Sequence, residues 1–324
     1  MHRIIGKFTL AIVAAAMLFG FGTVGEVRAE KKRICVLLWT DESRFVDGKN
    51  AFVDQLRKEG FGDDAVALTI ENCGGNKAKA ADLTKKIAAA KYDLVVPVGT
   101  SAAVAVAKDI KDVPIVFMVV YDPVASKIAD GWESSGNNTT GATAFVKMSI
   151  LVDTLKKLAP VKKLAVLYTP GEKNSELQLK DLQSAQAAGG FKVVPVPLAT
   201  KEDVAAMMAQ ATGAADAMFL SGSSVVGAAT PAIVEAAIKA KVITVSHLDD
   251  PVEKGALLGV TASPAQQGQL AGVKAAKVLK GAAPSSLPID QLKTLDIILN
   301  MKTAKAIGLT VPADFQKAAA RIIQ

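Results

Sequence analysis

Polar side chains gather directly behind short apolar runs, where they could hold a small molecule by hydrogen bonds. Leu94–Val98 is followed by Gly99-Thr100-Ser101, and Ile115–Val120 by Tyr121-Asp122-Pro123. Ile34–Trp39 runs into Thr40 and Asp41. Further along, Leu164–Tyr168 leads to Gly171, Glu172, Asn174 and Ser175. Ala217–Leu220 leads to Ser221, Gly222, Ser223 and Ser224, and Val242–Ser246 to His247 and Asp249. Glycine lets a ligand approach the backbone. Thr or Ser at a helix start sets hydroxyls beside free backbone N–H groups, an arrangement that suits a carboxylate or another acceptor, or simply caps the helix. Asp122 can receive an ammonium or a ligand hydroxyl, or begin an Asp-Pro turn. Trp39 offers a ring for stacking, or packs. The candidate contacts are Trp39, Thr40, Asp41, Thr100, Ser101, Tyr121, Asp122, Tyr168, Asn174, Ser175, Ser221, Ser223, Ser224 and His247.

These residue types bind more readily than they catalyse. The chain has two histidines, His2 and His247, and two cysteines, Cys35 and Cys73. A multi-histidine metal site is excluded, and no Cys-x-x-Cys exists. Gly222-Ser223-Ser224-Val225-Val226 fails the Gly-x-Ser-x-Gly nucleophile elbow at its last position. No Gly-x-Gly-x-x-Gly follows the first apolar run, and no phosphate-cradling loop is present. No cofactor and no metal are expected. His247 with Asp249 and a serine could be drawn as a catalytic group; a hydrogen-bonding role in a cleft or hinge is the plainer reading.

A binding face of this kind needs parallel strands, because ligands of open parallel sheets sit beyond the strands' carboxyl ends. The apolar runs at 34–39, 66–70, 94–98 and 115–120 read as buried parallel strands. Between them, 45–59 and 77–90 carry helical spacing. Residues 132–140 form a polar, turn-rich break, and the alternation then restarts. Helices are expected at 150–158, 175–188, 201–211 and 231–240, and strands at 164–168, 192–196, 217–220 and 242–246. A tail adds strands at 256–260 and 295–299 and helices at 266–280 and 303–307. Two α/β units in tandem predict two Rossmann-like lobes with parallel sheets, joined by three crossings. The expected division is 30–143 with 251–282 for the first lobe, and 144–250 with 283–324 for the second.

Residues 1–29 read as a cleaved signal peptide. Arg3 and Lys7 precede an apolar run from Phe8 to Gly22, which is shorter than the roughly 20 residues of a spanning helix, and Val27-Arg28-Ala29 precedes the expected cut. No cysteine stands at the cut for lipid attachment. A soluble, exported product follows, most simply in a bacterial periplasm. The formal net charge of +7 is modest for 324 residues and interspersed, and no basic stripe alternates with aromatics, so nucleic acid is not an expected partner. If the first two strands are parallel neighbours, Cys35 and Cys73 lie near opposite ends, and two unpaired thiols are expected.

The order and spacing of several short segments resemble the substrate-binding proteins of ABC importers, in the family that includes tryptophan-binding periplasmic proteins. The segments are Asp93–Val96 into Gly99–Ala103, Pro114–Phe117 into Asp122-Pro123-Val124, Asn138 with Thr140-Gly141, and Asn174-Ser175. Val252–Leu257, Gln267-Gly268, Val278–Gly281, Asn300 and Ile307-Gly308-Leu309 extend the resemblance over nearly the whole exported chain. It implies a type I periplasmic-binding fold with ligand in the cleft. It also implies a membrane permease and ATPase as partners; a monomer is expected, and the absent catalytic motifs predict binding without turnover. Thr100, Ser101 and Asp122 are the contacts it implies in the first lobe, and Asn174 and Ser175 in the second. Trp39-Thr40-Asp41-Glu42 stands where members often carry His-Pro. Ser221-Gly222-Ser223-Ser224 stands where they often carry Asp-Asn-Thr, which removes one acid able to pair with an ammonium. The expected ligand is therefore a small polar or aromatic metabolite, with an amino acid among the options. A sensory subunit that binds the same kind of ligand is the alternative function, and an α/β enzyme the more distant one.

Overall fold

A computed structural model describes residues 30–324; the leader expected over 1–29 lies outside the described residues. Strand β1 (Lys32–Leu38) leads through α1 (Ser43–Lys58) to β2 (Val66–Asn72), and α2 (Lys77–Ala89) to β3 (Leu94–Val98). Helix α3 (Thr100–Asp109), β4 (Ile115–Val120) and β5 (Thr139–Thr143) follow. The second series is α4 (Met148–Lys156), β6 (Lys163–Tyr168), α5 (Lys173–Gly189), β7 (Lys192–Pro197), α6 (Asp203–Ala214) and β8 (Ala217–Leu220). It continues with α7 (Ser224–Ala240), β9 (Ile243–Ser246), α8 (Asp249–Glu253), β10 (Leu258–Thr261) and α9 (Pro264–Leu279). The tail holds β11 (Asp290–Gln291), β12 (Asp296–Asn300), α10 (Met301–Ile307), α11 (Ala313–Lys317) and β13 (Arg321–Ile323).

The strands form two sheets. The first has the order β11-β5-β4-β3-β1-β2 and the second β13-β12-β10-β9-β8-β6-β7. All pairings are parallel except β10 with β12. Continuous apolar strands make this possible: β3, β4, β8 and β9 are buried along their whole length, as a sheet covered by helices on both faces demands. Two α/β lobes result, as the alternation of runs predicts.

The division of the tail differs from expectation. The return to the first lobe does not begin at residue 251, because β10 is hydrogen-bonded to β9 and β12 inside the second sheet. The chain returns after β10: α9 packs along α1 and against β4 and β5, and β11 pairs with β5 before β12 goes back to the second sheet. The close approach of α1 and α9 rests on glycine. A Cβ on Gly268 would stand 2.1 Å from the Gly48 carbonyl oxygen.

Two further differences have local causes. The polar stretch at 132–140 ends in a strand, β5, whose Gly141 lies so close to β4 that a Cβ there would meet Phe117 O at 2.1 Å. Helix α7 begins seven residues before the expected Pro231, which sits inside it. Proline cannot donate to the carbonyl four residues earlier. That carbonyl, Gly227 O, instead accepts from Lys254 Nζ at 3.0 Å.

Cys35 is opposite Thr69 in the parallel β1–β2 register, Cys73 lies beyond the end of β2, and both are free and buried. Burial pushes the thiols up to about 12 and about 11, so neither is a reactive thiolate. Among the described residues no helix is long and apolar enough to cross a membrane.

Candidate functional site

The carboxyl ends of both sheets face each other, and the polar residues that follow the strands meet between the lobes. On the first lobe, Gly99 turns β3 into α3 with φ +102°, a conformation that L side chains rarely adopt. Thr100 is buried, and its Oγ1 accepts from Tyr121 N–H at 3.1 Å, tying the ends of β3 and β4 together. Register between β4 and β5 shifts between Phe117 and Val120, where Val119 takes φ +55° and donates its N–H to Gln267 Oε1 of α9 at 3.1 Å. A β-branched residue in that region is strained, so α9 helps hold the strand end that carries Tyr121 and Asp122. Asp122 Oδ1 accepts from Val124 and Ala125 N–H, at 3.0 and 2.9 Å, and fixes the following turn.

On the second lobe, one face of α5 supplies Asn174, Gln178 and Asp181, spaced so that they lie along one stripe. Asn174 Nδ2 donates to Gly222 O at 2.6 Å, and Gln178 Oε1 accepts from Gly222 N–H at 2.9 Å. That leaves the Gln178 amide nitrogen to donate to His247 Nε2, 3.1 Å away, so His247 carries its proton on Nδ1. Burial, and then the charge of Arg44, lower His247 to about 3, and the ring is neutral. It lies between Phe219, stacked at 5.7 Å, and Tyr121, edge-on at 5.5 Å. Ser223 caps α7 by accepting from Val225 and Val226 N–H, and its hydroxyl also meets Thr169 Oγ1.

Several polar contacts join the lobes. Trp39 Nε1–H donates to Ser224 Oγ at 2.7 Å, and Lys77 Nζ to Gly171 O at 2.6 Å. Tyr121 OH donates to Asp181 Oδ2 at 2.7 Å. Burial raises the Asp181 carboxyl, although that hydrogen bond opposes the shift. Arg44 binds Asp250 through Nη1 and Glu42 through Nη2, at 2.7 and 2.6 Å. Between the lobes lies a cavity of about 300 Å³. Its apolar lining is Trp39, Ala80, Val104 and Ala105; Ser101, Lys77 and Lys108 add polar groups, and Gly171 and Lys173 close it from the second lobe.

Glu172 lies between Gly171 and Lys173, which line this cavity; its carboxylate is buried and accepts Ser224 N–H at 2.9 Å. Burial raises it, and Ser224, Lys77 and Arg44 pull it back. Among the described residues no group of His, Cys, Asp and Glu is arranged to hold a metal ion.

The expected contacts separate into three groups. Trp39 and Ser101 line the cavity, and Ser224, Asn174, Tyr121 and His247 meet across or beside the cleft. Thr100, Asp122, Ser175, Ser221 and Ser223 have side-chain oxygens engaged by nearby backbone groups. Thr40 hydrogen-bonds Glu42, exposed Asp41 pairs with Asn72 on the β2 side, and half-buried Tyr168 stands at the end of β6. Sequence reasoning missed Asp181, Arg44 and Asp250 as interlobe groups, and Gln178 as the partner of Gly222 and His247. The four-and-three spacing from Asn174 through Gln178 to Asp181 was the available signal for two of them. Nothing local marks Arg44 or Asp250, which are 206 residues apart.

A family model described as ABC transporter substrate binding protein matches residues 36–323. A tyrosine-binding protein from Clostridioides difficile (strain R20291) is 25% identical over 282 residues, which is 86% of this chain and 82% of that one. The ABC domain from Streptococcus pneumonia in complex with L-Trp is 26% identical and superposes with a TM-score of 0.86, covering 91% of this chain and all (100%) of that one. The ligand-free, open structure of a substrate binding protein with adhesive properties from Clostridium difficile is 27% identical, with a TM-score of 0.72 over 90% of this chain and 99% of that one. With two parallel-sheet lobes closing on a shared cleft, and a family match over nearly all the described residues, the chain belongs to the ABC transporter substrate-binding protein family.

Proposed function

We propose that this protein captures an aromatic amino acid between its lobes in the periplasm and presents it to the permease of an ABC importer. The interlobe cavity carries this reading. Its apolar wall with Trp39 suits an aromatic side chain, and Ser101 with Lys108 offers a hydroxyl and a cation to a carboxylate. Both lobes contribute, so a ligand that fills the cavity favours the closed arrangement over an open one. The tyrosine-binding relative and the L-Trp complex support the choice of ligand class. The residues at the cleft are arranged for hydrogen bonding, and none forms a nucleophile–base pair, which supports release of the ligand unchanged.

Isothermal titration of the exported chain with L-tryptophan, L-tyrosine and L-phenylalanine tests the reading. At least one should bind, raise stability by about 2.7 kcal/mol at a hundred times its dissociation constant, and be recovered intact. Small-angle scattering should show contraction on binding. Deletion of the gene should lower uptake of the same labelled amino acid. Absence of binding by all three refutes the ligand class, and consumption of the ligand in proportion to protein refutes a purely binding role.

A further inference from the structure

Glu172 is a carboxylate that the fold buries at the cleft without giving it a cation. It is 8% exposed. It stands at the N-cap position of α5 but does not cap that helix; its side chain is turned to the start of α7, where Oε2 accepts Ser224 N–H. That helix already has its cap in Ser223. Two cations are near enough for their charge to act on Glu172, and both are engaged elsewhere: Lys77 donates to Gly171 O, and the Arg44 guanidinium is held by Asp250 and Glu42. Among the described residues none makes an ion pair with Glu172. A buried charge is costly unless paired, and buried carboxylates are normally partnered by a cation or a metal.

Its surroundings say what would pair with it. Gly171 and Lys173, its neighbours in sequence, form the second-lobe wall of the cavity. Ser224, which donates to Glu172, also receives the indole N–H of Trp39. The carboxylate is therefore one residue away from the aromatic wall. Ser101 and Lys108 of α3 add a hydroxyl and a cation from the first-lobe side, suited to an anion. One acid, one aromatic surface and one cationic end match the three parts of a zwitterionic aromatic amino acid.

We propose that Glu172 is the counter-ion for the ammonium group of the ligand, and so sets a preference for amines over their des-amino analogues. This rests on the amino-acid reading of the cleft. It also replaces the acid that the Ser221–Ser224 segment lacks.

The test pairs L-tryptophan with indole-3-propionate and L-tyrosine with 3-(4-hydroxyphenyl)propionate, by titration calorimetry on the exported chain. L-leucine and L-arginine extend the panel. Wild type should bind the amino acid at least about tenfold tighter than its des-amino partner, the scale of a charge-assisted hydrogen bond. Glu172→Gln keeps an acceptor for Ser224 N–H and removes only the charge. It should weaken amino-acid binding by roughly 10- to 100-fold and leave the des-amino acids unchanged or tighter. The wild-type comparison needs no variant, so a folding defect in Glu172→Gln does not spare the proposal. Equal wild-type affinity for both members of a pair overturns the role of Glu172 and leaves the aromatic reading standing. So does a Glu172→Gln protein that keeps the full preference. Binding of L-leucine or L-arginine alone, lost on Glu172→Gln, supports Glu172 and overturns the aromatic ligand. No binding of any amino acid overturns both.

Discussion

Asp250→Ala should destabilise the protein by about 3 kcal/mol, through the guanidinium that it leaves behind. Arg44 is 3% exposed and Asp250 1%. Arg44 Nη1 lies 2.8 and 2.7 Å from the two Asp250 oxygens, and Nη2 lies 2.6 Å from Glu42 Oε2. Burial pulls the guanidinium toward its neutral form, and the charges of Asp250 and Glu42 outweigh it, holding Arg44 above its ordinary value. Breaking a buried pair by removing one partner costs about 3–5 kcal/mol, because the other charge stays desolvated. Glu42 remains to Arg44 in Asp250→Ala, which puts the loss at the lower end. Urea unfolding should show it as a lower midpoint with an unchanged slope. The loss should persist in high salt, since a pair this buried is little screened. Replacing all three members of the cluster in Glu42→Gln/Arg44→Met/Asp250→Leu should cost much less than the single change, because no buried charge is then left without its partner. An Asp250→Ala protein within about 1 kcal/mol of wild type would refute the reasoning. So would a triple variant as unstable as the single one.

Four more variants test local features of the fold. Ser223→Ala removes the acceptor for Val225 and Val226 N–H and should cost about 1 kcal/mol in urea unfolding; no loss would mean that α7 needs no cap. Gly268→Ala places a Cβ 2.1 Å from Gly48 O and should cost about 3 kcal/mol or more by thermal melting. Gly213→Ala, with nothing within 4 Å in α6, should gain roughly 0.5–1 kcal/mol, and a reversed order would reject the packing argument. Burial raises the Asp249 carboxyl to about 6, so its charged form is disfavoured in the folded state above that pH. The folded chain takes up this proton before the unfolded chain does, and the penalty fades as pH falls from about 6 toward the unfolded value of 3.8. Asp249→Asn should therefore be more stable than wild type by roughly 2–3 kcal/mol at pH 8 and about equal at pH 4, measured by urea unfolding at both. A difference independent of pH would remove Asp249 as the cause.

The alternation of strands and helices was legible because its cause is local. Ile115–Val120 and Leu94–Val98 are apolar at every position, which only a strand covered on both faces tolerates. Thr100 and Ser101 at the end of such a strand marked the cleft face for the same reason, since parallel sheets open at their carboxyl ends. The two lobes follow from the same pattern repeated. What residues do at that face was less legible. The hydroxyls of Thr100, Ser175 and Ser223 are the residue types a ligand would want, and the fold uses them on its own backbone. The same chemistry serves capping and binding, and sequence carries no measure of which partner is nearer.

The remaining features depended on contacts between distant segments. Strand β10 reads like any short apolar run; its place in the second sheet is set by hydrogen bonds to β9 and to β12, which lies some 40 residues later. Arg44 and Asp250 are ordinary charged residues along the chain, and become a buried pair only when the two lobes meet. Glu172 follows the same rule. Its sequence position suggests a helix cap, while the fold turns it to the start of another helix and withholds a cation. Periodicity is written in neighbouring residues, so the sequence by itself determined most of the strands and helices and the polar strand ends that meet at the cleft. Burial and pairing of charge are properties of separated residues brought together, and only the tertiary structure decided them.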